Sequence, residues 1–171
     1  MEFVNQTVIG KKELTALARG ARKAVRRKRG TAVRLIGTAV ILLNVLFCVL
    51  SIQVGDSRWW LNGALALFLL VIVYGEDWLN GQINAKNILP EAKEVTASFG
   101  PEEYVSATAS SENRFSYDQI HAVCETDAYF LFYLDRNLGQ IYDKNGFTKG
   151  TAMAFRDFIS RKTGLPVRNV R

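Results

Sequence analysis

The sequence predicts an α+β membrane protein: a two-helix transmembrane hairpin followed by a small antiparallel β-roll capped by a C-terminal helix. Three observations carry this expectation. Two apolar runs, residues 35–55 and 59–75, contain no Asp, Glu, Lys or Arg. A dense basic stretch precedes the first of them. Beyond residue 90 the texture changes to short β-like runs separated by turn residues, closing on one amphipathic helical pattern.

The opening residues Phe3 to Ile9 have β-branched character and read as a short extended piece. After Gly10, residues Leu14, Leu17, Ala18, Ala21, Ala24 and Val25 recur at helical spacing, which predicts a helix over Lys11–Lys28. Its other face and the residues after it are cationic. Residues 1–32 thus read as a basic cytoplasmic arm with an amphipathic helix resting near the lipid surface. Arg19, Arg22, Lys23, Arg26, Arg27, Lys28 and Arg29 are the candidate contacts to anionic membrane lipid. Two readings stay open. The charges set topology and nothing more, or they bind anionic headgroups at about 1 kcal/mol per residue.

A helix needs roughly 20 apolar residues to cross the hydrocarbon core. Residues 33–54 and 59–79 meet that length, joined by the tight turn Gly55-Asp56-Ser57. Trp59, Trp60 and Trp78 flank the second segment as interfacial aromatics do. Such a short connection holds no external domain, and the Lys/Arg bias places both termini in the cytoplasm of a multi-pass cell-membrane protein. Asn44, Gln53 and Asn62 are candidates for amide hydrogen bonds across helices, and Gly37, Gly63 and Ala64 for close helix approach. No ionisable residue sits at mid-depth, so the usual marker of a proton or ion path is missing. A cleaved signal peptide fits poorly, because the charged region is too long and no A-x-A-like site follows the apolar one.

Asn80 to Pro90 reads as a polar linker into a β-rich cytoplasmic domain over 90–164. Lys93–Phe99 alternates, with Val95, Ala97 and Phe99 on one face. Extended pieces follow at Tyr104–Ala109, from Phe115, at Ile120–Cys124 and at Gly139–Tyr142. Tyr129–Leu134 is continuously apolar, which predicts a strand covered on both faces. Turns are expected at Gly100–Glu103, Asp135–Asn137 and Asp143–Gly146. The last element is a helix over Thr151–Lys162 with Ala152, Phe155, Phe158 and Ile159 as its stripe; Arg161 and Lys162 suit its negative end, and Gly164 stops it.

Charge follows the same division. Residues 1–34 carry ten Lys/Arg against two acids, whereas residues 76–171 carry eleven against thirteen. The net +6 therefore belongs to the segment beside the first apolar run, where membrane topology explains it, and the sequence implies no nucleic-acid partner. Two cysteines, Cys48 and Cys124, make no disulfide framework, and a single histidine, His121, leaves no zinc spacing.

From Phe115 the string becomes more specific. Phe115-Ser116-Tyr117-Asp118-Gln119-Ile120, then Val123-Cys124-Glu125-Thr126, then Tyr129-Phe130-Leu131-Phe132-Tyr133 resemble the C-terminal domain of YcxB-like bacterial membrane proteins. Phe147, Gly150, Phe155, Phe158 and Ile159 continue the pattern, and the basic arm and paired apolar segments match that family's layout. One departure is that Tyr142-Asp143-Lys144 replaces an aliphatic–Pro–Lys stretch, so the turn there is expected to differ. The resemblance implies a pleckstrin-homology-like roll of uncharacterised activity, and it brings no functional residues with it.

Catalytic residues, cofactors and metal ligands are not indicated. His121 and Cys124 are three apart, a spacing that points them to opposite faces of a strand. Glu125, Asp127 and Asp135 read as turn acids. The tyrosines Tyr117, Tyr129, Tyr133 and Tyr142 are the better candidates for a ligand groove, since their hydroxyls seek a polar partner. Three functions remain open: a non-catalytic module that binds a protein partner or lipid, a membrane-surface enzyme, and a subunit acting through its membrane helices. The first predicts an exposed groove or sheet edge on the β-rich domain.

Overall fold

In the computed structural model, residues 2–135 and 138–170 are described. The chain divides into two compact units, residues 1–26 with 80–171, and residues 27–79. The turn expected at Asp135–Asn137 lies largely outside the described residues.

The larger unit is built on two sheets. Strands β1 (Phe3–Val8), β2 (Glu94–Phe99), β3 (Glu103–Ala107), β4 (Glu112–Ser116), β5 (Ala122–Glu125), β6 (Tyr129–Tyr133), β7 (Gly139–Asp143), β8 (Phe147–Lys149) and β9 (Val167–Asn169) pair in the orders β4-β3-β2-β1-β8 and β7-β6-β5-β9. All pairings are antiparallel except β5 with β9. The other expected strands are present, but the piece expected to begin at Phe115 nearly ends there: β4 covers Glu112–Ser116 and Tyr117 opens a 3-10 turn; β8 and β9 are additional. As the spacing predicts, Ala97 and Phe99 are buried together on β2.

The first strand departs most from the sequence reading. Residues 1–32 were expected to form an arm apart from the 90–164 domain. Instead β1 pairs along its whole length with β2, Phe3 opposite Phe99 and Val8 opposite Glu94. Its inward residues are Phe3, Asn5 and Thr7, while Val8 is exposed. Asn5 is buried because its partners are supplied: its Nδ2 donates to the Asp143 carbonyl at 2.7 Å, and its Oδ1 accepts from Thr7 Oγ1 at 2.7 Å. Thr7 Oγ1 in turn accepts from the Asp143 N–H at 2.8 Å. This closed network ties β1 to the end of β7, so burying these polar groups leaves none of them unpaired.

Helix α4 (Ala152–Thr163) forms where the stripe predicts it. Thr151 caps it by accepting from the Ala154 N–H, and Gly164 ends it in the left-handed region at φ 65°. Phe155, Phe158 and Ile159 enter the core between the sheets, with Phe155 4.6 Å from Phe99 and Phe158 4.9 Å from Phe3 between ring centroids. Strand β6 is buried on both faces, as its unbroken apolar run predicts. Phe130 and Phe132 face the inner core. Leu131 and Tyr133 face a second cluster on the other side of the sheet.

That second cluster is completed by helix α1 (Lys11–Gly20) and the π-helical turn Ala21–Val25 after it. The apolar side of this helix was expected to rest near lipid. It lies on protein instead, with Leu17, Ala21, Ala24 and Val25 packed beside Leu131, Tyr133 and Ile141. A sheet exposing Leu131 and Tyr133 needs such a cover, and the alanine-rich face lets the helix come close.

In the smaller unit, helix α2 (Arg27–Gln53) and the first part of α3 (Trp59–Asn87) are joined by a turn in which Gly55 adopts φ 75°. Both helices are long and apolar enough to cross a membrane. Gly37 lies where any side chain would meet Val73, and Thr38 Oγ1 and the Tyr74 hydroxyl are 2.8 Å apart. Asn44 was expected to bond across helices. Its Nδ2 donates to the Val40 carbonyl of its own helix at 2.9 Å, the local option always open to a short amide. Helix α3 also runs eight residues past the expected end at Leu79, so the expected linker is mostly helical.

Candidate binding site

A cleft of about 290 Å³ lies in the larger unit where α1, the last turns of α3 and the β6–β7 hairpin meet. Leu14, Leu17, Ala18 and Ala21 contribute from α1 and its π turn, Asn80 and Asn84 from α3, and Tyr133 and Gly139 from the hairpin. Arg26 completes the lining.

Three glycines permit this arrangement. A side chain at Gly20 would meet the Tyr133 hydroxyl, one at Gly81 would meet Thr15, and one at Gly139 would come within 3.0 Å of Leu17. The close approach lets the Tyr133 hydroxyl donate to the Leu17 carbonyl at 2.8 Å. The π turn positions the cation. Arg26 N–H donates to the Ala21 carbonyl, five residues back, at 2.8 Å, so one extra residue is wound into the helix before Arg26. Arg26 Nε is buried and has no hydrogen-bond partner. Guanidinium is charged at all relevant pH and offers donors only, so an unanswered N–H there calls for an acceptor.

A second groove, of about 490 Å³, follows the open part of β1. Strand β8 pairs only with Val4 and Asn5, and Gln6, Thr7 and Val8 line the groove with Glu94–Thr96 and Asn145–Thr148. It is partly shut by Gly146, whose backbone sits so close to the Gln6 carbonyl that no side chain fits there.

The tyrosines do not line one groove. Tyr117 and Tyr142 are buried in the inner core, donating to the Gly100 carbonyl at 2.8 Å and to Gln140 Oε1 at 2.8 Å. Tyr129 and Tyr133 lie on the opposite face of the second sheet, and Tyr129 donates to Glu13 Oε1 at 2.7 Å. Alternation along β6 and β7 puts Tyr129 and Tyr133 on one face and Tyr142 on the other, while Tyr117 lies in the 3-10 turn before β5; of the four only Tyr133 reaches the cleft. Among the basic residues, Arg19 and Lys23 are exposed while Arg22 and Arg26 are half-buried. Arg27, Lys28 and Arg29 form the exposed first turn of α2.

Glu125, Lys144 and Arg156 serve the fold. Glu125 accepts from Lys144 Nζ at 2.6 Å and from Arg156 Nε at 2.8 Å, joining β5 to α4 and to the turn after β7. Burial by itself raises the Glu125 pKa, but the two cations outweigh it and hold the carboxyl below its ordinary value. Lys144 takes this role in the turn where the expected Pro is replaced by Asp143, whose carboxylate accepts from the Asn145 N–H at 2.8 Å. Cys124 is fully buried, and burial pushes its thiol up to about 11. His121 is exposed, with Nδ1 3.0 Å from the Gln119 carbonyl.

Two antiparallel-rich sheets closed by a C-terminal helix, with two long apolar helices between the first and second strands, define the class of protein. Residues 99–159, from the last residue of β2 into α4, match the family model described as YcxB-like protein, so this part of the chain is similar to that family. The match covers about a third of the chain and omits β1, α1 and both long helices. No curated protein and no solved structure matches the chain.

Proposed function

We propose that the protein is a membrane-anchored, non-catalytic binding module. In this reading α2 and α3 form a transmembrane hairpin, the two-sheet unit is a pleckstrin-homology-like roll in the cytoplasm, and the roll binds anionic lipid or a protein partner. One observation carries the topology. Strand β1 precedes the hairpin, β2 follows it, and the two pair over six residues. This pairing supports a reading in which both ends of the hairpin emerge on the same side of the bilayer. The basic residues 19–29 favour the cytoplasmic side.

Two further features support the reading. Leu35 is 68% and Ile36 66% exposed on α2, a degree of apolar exposure over a long helix that lipid accommodates and water does not. Arg27, Lys28 and Arg29 sit at the positive end of the α2 dipole with no acid in the first turn, an arrangement relieved by neighbouring anions such as lipid phosphates. A binding role suits the cleft, with its unanswered Arg26, better than a catalytic one suits buried Cys124 or exposed His121.

Impermeant maleimide labelling of intact cells tests the topology. Ser57→Cys is expected to react from outside and Ser110→Cys only after lysis; external labelling of Ser110→Cys refutes it. The binding role is tested by detergent pull-down with full-length protein and with a variant carrying Asn84→Asp in the cleft. Identical partners and lipids from both count against a role for the cleft.

A further inference from the structure

We infer that the cleft lined by Arg26, Asn80 and Asn84 is a binding site for a phosphate group, with Arg26 as its charged donor and the two amides as its neutral donors. The inference deepens the binding role proposed above. It depends on membrane anchoring only for the source of the phosphate.

The first ground is the unanswered donor. Arg26 is half-buried, its Nε is buried without an acceptor, and the residue lines the cleft together with Leu17, Ala18 and Ala21. A guanidinium cannot shed its proton to escape that cost, as a buried lysine can. The second ground is the set of groups opposite. Asn80 and Asn84 are one helical turn apart on α3, so they share a face, and both line the cleft. Each amide can turn its Nδ2 toward an anion. Among the described residues no carboxylate lines the cleft. Glu13 on α1 is engaged by the Gly10 N–H at 3.0 Å and the Tyr129 hydroxyl at 2.7 Å, and Asp77, three residues before Asn80 on α3, is buried and already engaged. A tetrahedral anion can accept from three directions at once, which suits donors contributed by two different helices.

The third ground is the chemistry of the remaining wall. Leu14, Leu17 and Ala18 are apolar, and the cleft of about 290 Å³ has room for more than the ion. That fits a phosphate carrying an apolar attachment, as in a phospholipid headgroup with the start of its glycerol. Free phosphate shares the chemistry of the charged part. The π turn makes the site specific to position 26, because the extra residue it winds in sets the direction in which this side chain leaves the helix.

The test uses the full chain in nanodiscs. Inorganic phosphate is titrated into protein in phosphatidylcholine discs and followed by 31P NMR line broadening. In parallel, phosphatidic acid is doped into the discs and its retention is scored by native mass spectrometry. Arg26→Gln is expected to weaken binding at least tenfold and Arg26→Lys less. Arg19→Gln removes the same charge from the exposed face of α1 and is expected to change binding less than twofold. Asn84→Asp is the second variant. Its carboxylate is expected to answer Arg26 internally, so binding is lost while the thermal midpoint without ligand rises, a pairing that misfolding does not produce.

Arg26-dependent binding of inorganic phosphate supports the site with a soluble source, and retention of phosphatidic acid alone supports it with a lipid source. Binding of neither, or equal losses in Arg26→Gln and Arg19→Gln, overturns it. Should the protein prove soluble without detergent yet bind phosphate through Arg26, the anchoring proposal fails and the site stands.

Discussion

Replacing Phe3 by alanine tests whether the N-terminal strand is part of the β-rich unit. Phe3 is 9% exposed, and its ring lies 4.9 Å from Phe158, 5.4 Å from Phe155 and 6.4 Å from Phe147 between centroids. The backbone of Gly150 closes over the same ring. Truncation of a buried Phe costs about 3–5 kcal/mol from lost transfer free energy and the cavity left behind. Slight exposure at the start of the strand puts Phe3 near the lower end, so we expect a loss of about 3 kcal/mol. Against a total stability of about 5–15 kcal/mol that is a large fraction. The assay is urea unfolding of the full chain in detergent, read by near-UV circular dichroism of tyrosine. Five of the six tyrosines lie in the β-rich unit, whereas all three tryptophans lie on α3, so the tyrosine signal reports this unit. Val8→Ala, on the same strand but 65% exposed, is the control and should cost under about 0.5 kcal/mol. An unchanged midpoint for Phe3→Ala, or a fragment starting at residue 90 that unfolds cooperatively at the full-length midpoint, refutes the reasoning.

Other consequences are as direct. Gly20→Ala gains about 1 kcal/mol of helix propensity but drives a methyl into the Tyr133 hydroxyl and to 2.5 Å from Leu131. Overpacking of about 1–3 kcal/mol should exceed that gain and lower the thermal midpoint. Because the folded pKa of Glu125 is depressed, its contribution is complete above the unfolded carboxylate value of about 4.3 and lost as pH falls through the folded one. Unfolding midpoints from about pH 6 to about pH 3 should therefore fall more steeply for the native chain than for Glu125→Gln. Cys124, fully buried with its thiol pushed up to about 11, should resist alkylation near neutral pH until the unit is unfolded, and fast labelling of native protein contradicts that burial.

Much of the fold was legible locally. The alternation of Val95, Ala97 and Phe99, the unbroken run at Tyr129–Tyr133 and the Phe155/Phe158/Ile159 stripe each state a period that matches the observed element. The alanine-rich face of α1 was equally visible, but what it packs against was not. A weakly apolar helix beside a membrane segment reads the same whether lipid or a sheet covers it. The candidate site was legible only in part. Arg26 stood in a row of like cations, and nothing in the sequence marks it off from Arg22 or Arg27. The polar residues Asn80 and Asn84 read as linker. The signal that bore on them was their spacing of four residues, which puts them on one face once α3 is known to continue past Leu79.

The sequence alone determined the two long apolar helices, the concentration of cationic charge ahead of them, and the β-rich texture with its closing helix. Each depends on composition and period within a short window. Only the tertiary structure decided that β1 enters the sheet beside β2, that Asn5 and Thr7 face inward, and that Arg26, Asn80 and Asn84 meet in one cleft. Those outcomes join residues far apart in the chain. They turn on which surfaces remain to be covered and which donors find acceptors, and no local pattern encodes that.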